Sequence, residues 1–265
     1  MPRLTASIVI GMFLLFGGAP VFAGPDRGTV IDDPRYVVYL PPEMNSGDKY
    51  PAVFALGPDA NARAAADLWV PVVQSRGWII VASKECRNDL TFTELMPKLE
   101  LVIKDVLSKH PIDRTQVLVA GYAGGAMAAH ALIFAHPDWF AGLVVNTGMI
   151  HPSYTQQIAA YPKGKLAVFL ASPTDYRYDE MQNDRQFLEN LEWKTEWIDF
   201  EGGHMPAPVA AYEQAARWLD QRLPRPVVPR AEGGVSPGTQ PMPADDAAKD
   251  SSLGALQDQD KGDNE

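Results

Sequence analysis

Three short stretches of this chain carry residue types that perform acyl-transfer chemistry, in the order nucleophile position, acid, histidine. The first is Val117-Leu118-Val119-Ala120-Gly121-Tyr122-Ala123-Gly124-Gly125-Ala126-Met127. An apolar run turns into a helix through small residues. This is the context of a nucleophile elbow, whose glycines make room for a central residue on a strained turn. The second is Leu170-Ala171-Ser172-Pro173-Thr174-Asp175, which sets Asp175 on a loop after an apolar run. The third, Phe200-Glu201-Gly202-Gly203-His204-Met205-Pro206, does the same for His204. Ala123 and Asp175 are 52 residues apart and Asp175 and His204 are 29 apart, each about one strand-plus-helix unit. A carboxylate that orients an imidazole makes it a general base toward a hydroxyl. The central position of the elbow, however, is Ala123. Alanine has no oxygen with which to attack an acyl carbon, so His204 is left without a hydroxyl to activate.

The elements that must hold these residues follow from apolar patterning. Strands are expected over residues 35–40, 52–56, 78–82, 117–120, 142–145, 166–170 and 193–200. Helices are expected over residues 61–74 (with Asn61 as N-cap), 93–109, 124–135, 179–191 and 207–223. Most of the strands are short apolar runs separated by helices, which calls for a parallel sheet covered on both faces. The expected fold class is therefore α/β, in three layers, with a mainly parallel central sheet. Asp175 and His204 then lie at the carboxyl edge of that sheet, with the elbow upstream. No internal repeat is evident.

With those motifs in place, the region from about Arg35 to Leu223 resembles α/β hydrolases of the esterase, dienelactone-hydrolase and polyester-depolymerase kind. The resemblance rests on Gly121-Tyr122-Ala123-Gly124-Gly125, on His136-Pro137-Asp138-Trp139-Phe140-Ala141-Gly142, on Thr174-Asp175-Tyr176 and on Glu201-Gly202-Gly203-His204. It implies an α/β-hydrolase fold and a triad in which Asp175 orients the imidazole, His204 is the general base, and Ala123 replaces the serine. It also implies an oxyanion hole. The Gly124 N–H, just after the elbow, is one expected donor. Relatives often carry a glycine cluster after the second strand, where this chain has Leu56-Gly57-Pro58-Asp59-Ala60. Pro58 has no N–H, which leaves Asp59 and Ala60 as the expected oxyanion or binding residues.

Other residues carry weaker signals. Cys86 follows a strand end near the site edge and is an alternative nucleophile, although a lone cysteine more often packs as an inert apolar group. Arg87, Asn88, Tyr176 and Tyr178 either line the pocket mouth or are plain loop residues. His130 lies on the helix after the elbow, while His110, His136 and His151 each precede a proline. None forms a two-histidine helical zinc pattern, so no catalytic metal and no cofactor are expected.

The ends read differently from the middle. Residues 1–23 have the form of an export signal. Arg3 is basic, residues 7–16 are apolar, Gly17-Gly18-Ala19-Pro20 breaks the helix, and Val21-Phe22-Ala23 precedes a cleavage point before Gly24. An uncleaved anchor is the competing reading. Cleavage gives an exported protein, periplasmic or secreted, with no membrane span and a folded domain over residues 24–223. Residues 224–265 lack aromatic residues and carry six prolines and eight acids against four bases. Such a segment buries too little apolar surface to offset chain entropy and is expected to be a disordered acidic tail.

Composition narrows the partners. The chain has 265 residues and a net charge of −10. With no basic run, it is a poor nucleic-acid binder. Its one cysteine allows neither an internal disulfide nor a cysteine-based zinc cage. Three functions stay open on sequence grounds. One is a catalytically impaired hydrolase-fold protein whose pocket binds an ester-like small ligand. Another is an active esterase using a different nucleophile or a water activated by His204. The last is an interaction protein with a relic pocket. Turnover of a generic ester separates the second from the others, and ligand-induced thermal stabilisation separates the first from the third. Oligomeric state is not legible.

Overall fold

The computed structural model describes residues 21–24 and 28–224, with side chains from residue 28 onward. Residues 1–20 of the expected export segment and residues 225–265 of the expected tail lie outside the described residues. Among the described residues, no helix is long and apolar enough to cross a membrane.

A single sheet organises the domain. Its strands are β1 (Val21–Gly24), β2 (Gly28–Asp32), β3 (Tyr36–Leu40), β4 (Tyr50–Leu56), β5 (Ile79–Ser83), β6 (Ile112–Tyr122), β7 (Gly142–Asn146), β8 (Leu166–Ala171) and β9 (Lys194–Asp199). They lie in the order β1-β2-β3-β5-β4-β6-β7-β8-β9. The pairings β1–β2, β2–β3 and β3–β5 are antiparallel, and every pairing from β5 through β9 is parallel. The mainly parallel sheet expected from the continuous apolar runs is therefore present.

Helices cover both faces, because successive strand side chains point to opposite sides. Phe54, Val81, Val119, Val145 and Phe169 pack with α3 (Phe92–Lys109), α4 (Gly124–Ala135) and α6 (Tyr178–Asn190). Val53, Ile80, Leu118, Val144 and Val168 pack with α1 (Ala62–Asp67), α2 (Val70–Arg76) and α7 (Val209–Asp220). A one-turn helix, α5 (Pro152–Thr155), follows β7. The layers are thus helix, sheet, helix.

Several elements differ from the sequence reading. The helix expected over 61–74 is two helices, α1 and α2. Pro71 sits at the second position of α2, where its missing N–H is harmless, whereas continuation from α1 would need that N–H. Asn61 does cap α1, its side chain accepting the Ala64 N–H at 3.1 Å. The strand expected over 117–120 runs from Ile112 to Tyr122: Ile112 pairs with Tyr50 and Val117 with Ala52, and the register shifts across the polar Asp113-Arg114-Thr115-Gln116, which apolar patterning does not announce. Finally, β1 and β2 were not expected as strands. β1 contains the last three residues of the expected export segment, and Val21, Phe22 and Ala23 pair with Ile31, Val30 and Thr29.

Candidate active site

The elbow is built from two close approaches. A Cβ on Gly121 would overlap the Gly125 carbonyl, and a Cβ on Gly125 would overlap the Leu56 carbonyl, so strand end and helix start can meet only as glycines. Between them, Ala123 takes φ 50° and ψ −119°, in a region that side-chain-bearing residues rarely occupy. Its N–H donates to Asn146 O at 3.0 Å, and its carbonyl accepts from Ala126 at 3.0 Å and Met127 at 3.3 Å. The strained turn is thereby pinned to β7 on one side and to α4 on the other.

Asp175 and His204 meet across two loops at the carboxyl edge of the sheet. His204 Nδ1 lies 3.1 Å from Asp175 Oδ1 and 3.2 Å from Oδ2. The carboxylate is fully covered, while the imidazole is 27% exposed. Asp175 is held by its own turn, in which Oδ1 accepts the Arg177 N–H at 2.9 Å. The histidine loop is tied down at three points. Thr174 Oγ1 donates to Gly202 O at 2.7 Å. Tyr122 donates its hydroxyl to His204 O at 3.1 Å. The Ala207 N–H donates to Asn146 Oδ1 at 2.7 Å, an atom that also accepts the Tyr212 hydroxyl at 2.8 Å. With the carboxylate as acceptor, Nδ1 carries the proton and Nε2 is left to accept. The Tyr176 hydroxyl stands 3.3 Å from Nε2, and its ring lies across the imidazole at 4.6 Å between centroids.

These groups face a cavity of about 470 Å³, within the range typical of small-molecule sites. Ala123, Gly124 and His204 line it, with Leu90, Phe92, Leu95, Met127 and Met149 as apolar wall and Arg87, Asn88, Thr91, Thr147 and Arg177 as polar groups. The Asn88 side chain lies against Gly124. Each arginine is partly engaged by an acid, Arg87 by Asp89 and Arg177 by Glu180.

The structure sorts the sequence candidates plainly. It brings Ala123, Gly124, His204, Arg87, Asn88 and Tyr176 to one cavity, with Asp175 behind the imidazole. The two loop residues expected as oxyanion donors are not there. The Ala60 N–H donates to Cys86 O at 2.8 Å, with Ala60 itself at φ 62°, so this amide is unavailable. Asp59 lines a different, smaller cavity, and its Oδ1 accepts the Asn61 N–H at 3.0 Å. Tyr178 lies instead on an outer groove with Trp197 and Arg185. Cys86 is buried and its thiol is pushed up to about 12 by that burial, which leaves it protonated and inert. Among the described residues, no cluster of three or more histidine, cysteine or acidic side chains is placed to hold a metal ion.

Sequence reasoning missed Asn146, Thr147, Gly148, Met149 and Arg177. The first four end or follow β7, and their place at the carboxyl edge of a parallel sheet was the signal that could have found them. Thr147, buried at φ 43°, gives no local sign of its conformation.

Chemically, His204 lines the cavity with Asp175 behind Nδ1, which leaves Nε2 as a proton acceptor. Gly124, in the first turn of α4, where main-chain N–H groups have no partner within the helix, lines the same cavity. The central position of the elbow supplies no oxygen nucleophile, because Ala123 carries only a methyl group.

No protein-family model and no curated protein matches this chain in sequence. Its fold does have solved counterparts. A thermostable esterase is 20% identical, with a TM-score of 0.55 over 77% of this chain and 62% of its own. An S-formylglutathione hydrolase from Staphylococcus aureus is 13% identical, with a TM-score of 0.56 over 79% and 99%. An esterase from Pyrobaculum calidifontis is 13% identical, with a TM-score of 0.56 over 77% and 84%. This chain spans less than two thirds of the length of the first. At such identities the likeness is one of fold, and the fold is that of the α/β hydrolases.

Proposed function

We propose that this chain is an exported α/β-hydrolase-fold protein that has lost acyl-transfer chemistry and holds a small ester-like ligand in the cavity over Ala123. The observation that carries the reading is the backbone of Ala123 itself. A turn in this conformation costs on the order of 1–3 kcal/mol, and here it presents a methyl group rather than a hydroxyl. The paired carboxylate and imidazole and the cavity lined by Ala123, Gly124 and His204 support the reading. The ligand carbonyl would lie against Gly124 N–H, with its apolar body on Phe92, Leu95 and Met149.

The test has two readouts on the same protein. Hydrolysis of p-nitrophenyl butyrate is expected to be the same for wild type and for His204→Ala. The uncleavable ketone 4-phenylbutan-2-one is expected to raise the melting temperature, and Met127→Trp, which would fill the cavity, should abolish that rise. A wild-type rate that drops by about tenfold or more in His204→Ala would mean that the site turns over esters. No stabilisation by the ketone would argue instead for a relic pocket.

A further inference from the structure

A second cavity lies on the other side of the elbow, between the ends of β4 and β6 and the helices α1 and α7. It measures about 200 Å³. Ala65, Leu68, Trp69, Tyr122, Pro206 and Tyr212 form its walls. The strand ends beneath it contribute the small residues Ala55, Ala120 and Gly121, which leave room above the sheet. Trp69 meets Tyr212 edge to face, with centroids 5.1 Å apart and planes at 68°, so one wall is a pair of fixed aromatic surfaces.

The chemistry of that wall selects the occupant. The two phenol hydroxyls that border the space are already engaged outside it, Tyr122 on His204 O and Tyr212 on Asn146 Oδ1. Asn61 Oδ1 caps α1. Among the described residues, no cationic side chain lines the cavity, and Asp59 stands among those that do, which disfavours an anion. A preformed apolar cavity of roughly 150 Å³ accommodates benzene, so this one is large enough for a substituted ring.

We propose that this cavity is a second ligand site, selective for a small uncharged aromatic ring of toluene size, and that its occupancy is transmitted to His204. Transmission needs no new contact. Tyr122 is both a wall of this cavity and the residue whose hydroxyl holds the His204 carbonyl. Pro206, two residues beyond the histidine, is another wall. Tyr212, a third, shares its acceptor with Ala207 of the same loop. A ring seated here braces all three, and with them the loop that carries the imidazole. The proposal does not depend on what the cavity over Ala123 binds.

Toluene is the probe, with benzoate as its charged counterpart, added to the full chain. Toluene is expected to raise the melting temperature by a few degrees and to shift the His204 ring resonances, while benzoate does neither. Ala65→Leu, on α1, should abolish both effects by filling the space, and Ala64→Leu at its exposed rim is the second variant should the first fail to fold. Tyr122→Phe keeps the wall and removes the tether. It should retain the thermal shift and lose the His204 response. Toluene and 4-phenylbutan-2-one should bind together. Absence of a thermal shift, a shift that survives both filling variants, or an equal response to benzoate would overturn the site. An unchanged His204 response in Tyr122→Phe would overturn the transmission. Mutual exclusion of the two probes would show one continuous ligand cleft rather than two sites.

Discussion

Tyr122 and His204 are joined through the phenol hydroxyl of one and the main-chain carbonyl of the other, 3.1 Å apart, with ring centroids at 5.8 Å. The residue immediately before the elbow's central position therefore holds the loop that brings the imidazole to the site. Turn and base are a single mechanical unit, although 82 residues separate them in the chain.

A first prediction follows for the missing hydroxyl. Ala123→Ser is expected to be labelled by a fluorophosphonate probe, while the wild type is not. His204→Ala on that background should remove the labelling, because losing the base in a triad lowers reactivity by about 10⁶. Labelling of the wild type at another serine would place the nucleophile outside the elbow.

Asn146 is the internal anchor of the site. Its Oδ1 accepts from both Ala207 N–H and Tyr212 hydroxyl, and its Nδ2 donates to Leu170 O at 3.2 Å. Asn146→Leu leaves two buried donors unpaired, at about 1–3 kcal/mol each. Urea denaturation should therefore show a loss of roughly 2–6 kcal/mol, and a loss below about 0.5 kcal/mol would mean that water replaces the side chain.

The elbow's packing gives a third expectation. Gly125→Ala would press a methyl group into the Leu56 carbonyl. Main chain on both sides leaves little room to yield, so destabilisation of about 3 kcal/mol or more is expected. Gly203→Ala is the control, because nothing lies near a Cβ there. Equal melting temperatures for the two variants would count against the close approach.

Two buried groups set opposing pH dependences. Asp184 Oδ2 accepts the Ile150 N–H at 2.6 Å, and burial, with Glu180 one turn away, pushes its carboxyl up to about 7. A carboxyl that binds its proton more tightly when folded stabilises the protein at low pH. That contribution is lost as pH rises from the ordinary carboxylate range through about 7. His130 acts the other way. Burial pushes its imidazole down to about 3, so its contribution is present above the ordinary histidine value and lost as pH falls toward 3. Asp184→Asn keeps an acceptor for Ile150 and deletes the first slope. Relative to wild type it should gain on the order of 1–3 kcal/mol more at about pH 8 than at about pH 5. Parallel pH profiles would mean that Asp184 stays ionised when folded.

What the sequence disclosed, and what it hid, divides by the range of the interactions involved. The elbow was legible because its requirements are local: an apolar strand, three glycines and a helix within a dozen residues. Asp175 and His204 were legible because each follows a strand, and parallel topology brings strand ends to one edge. Ala60 was misread because its amide is claimed by Cys86, a partner 26 residues away that no local pattern announces. Asn146 was missed for the same reason, since its partners at Leu170, Ala207 and Tyr212 come from two other strand and helix units. Helix 61–74 was read as continuous because its apolar spacing survives Pro71, whereas its main-chain hydrogen bonding does not.

The pairing of β1 with β2 bears on export. Cleavage before Gly24 would remove three of the four residues of β1, leaving Thr29, Val30 and Ile31 without main-chain partners on that side while their pairing with β3 remains. Such a rim is a template for pairing with another chain. The mature protein, if processed there, would have to blunt it by other means. Asp32 at the end of β2, bonded to Lys84 and Arg63, is the charged gatekeeper already in position. Maturation would then do more than release the protein from its leader. It would move the open margin of the sheet from β1 inward to β2, and colloidal behaviour, rather than activity, is where the processed and unprocessed forms would first part company.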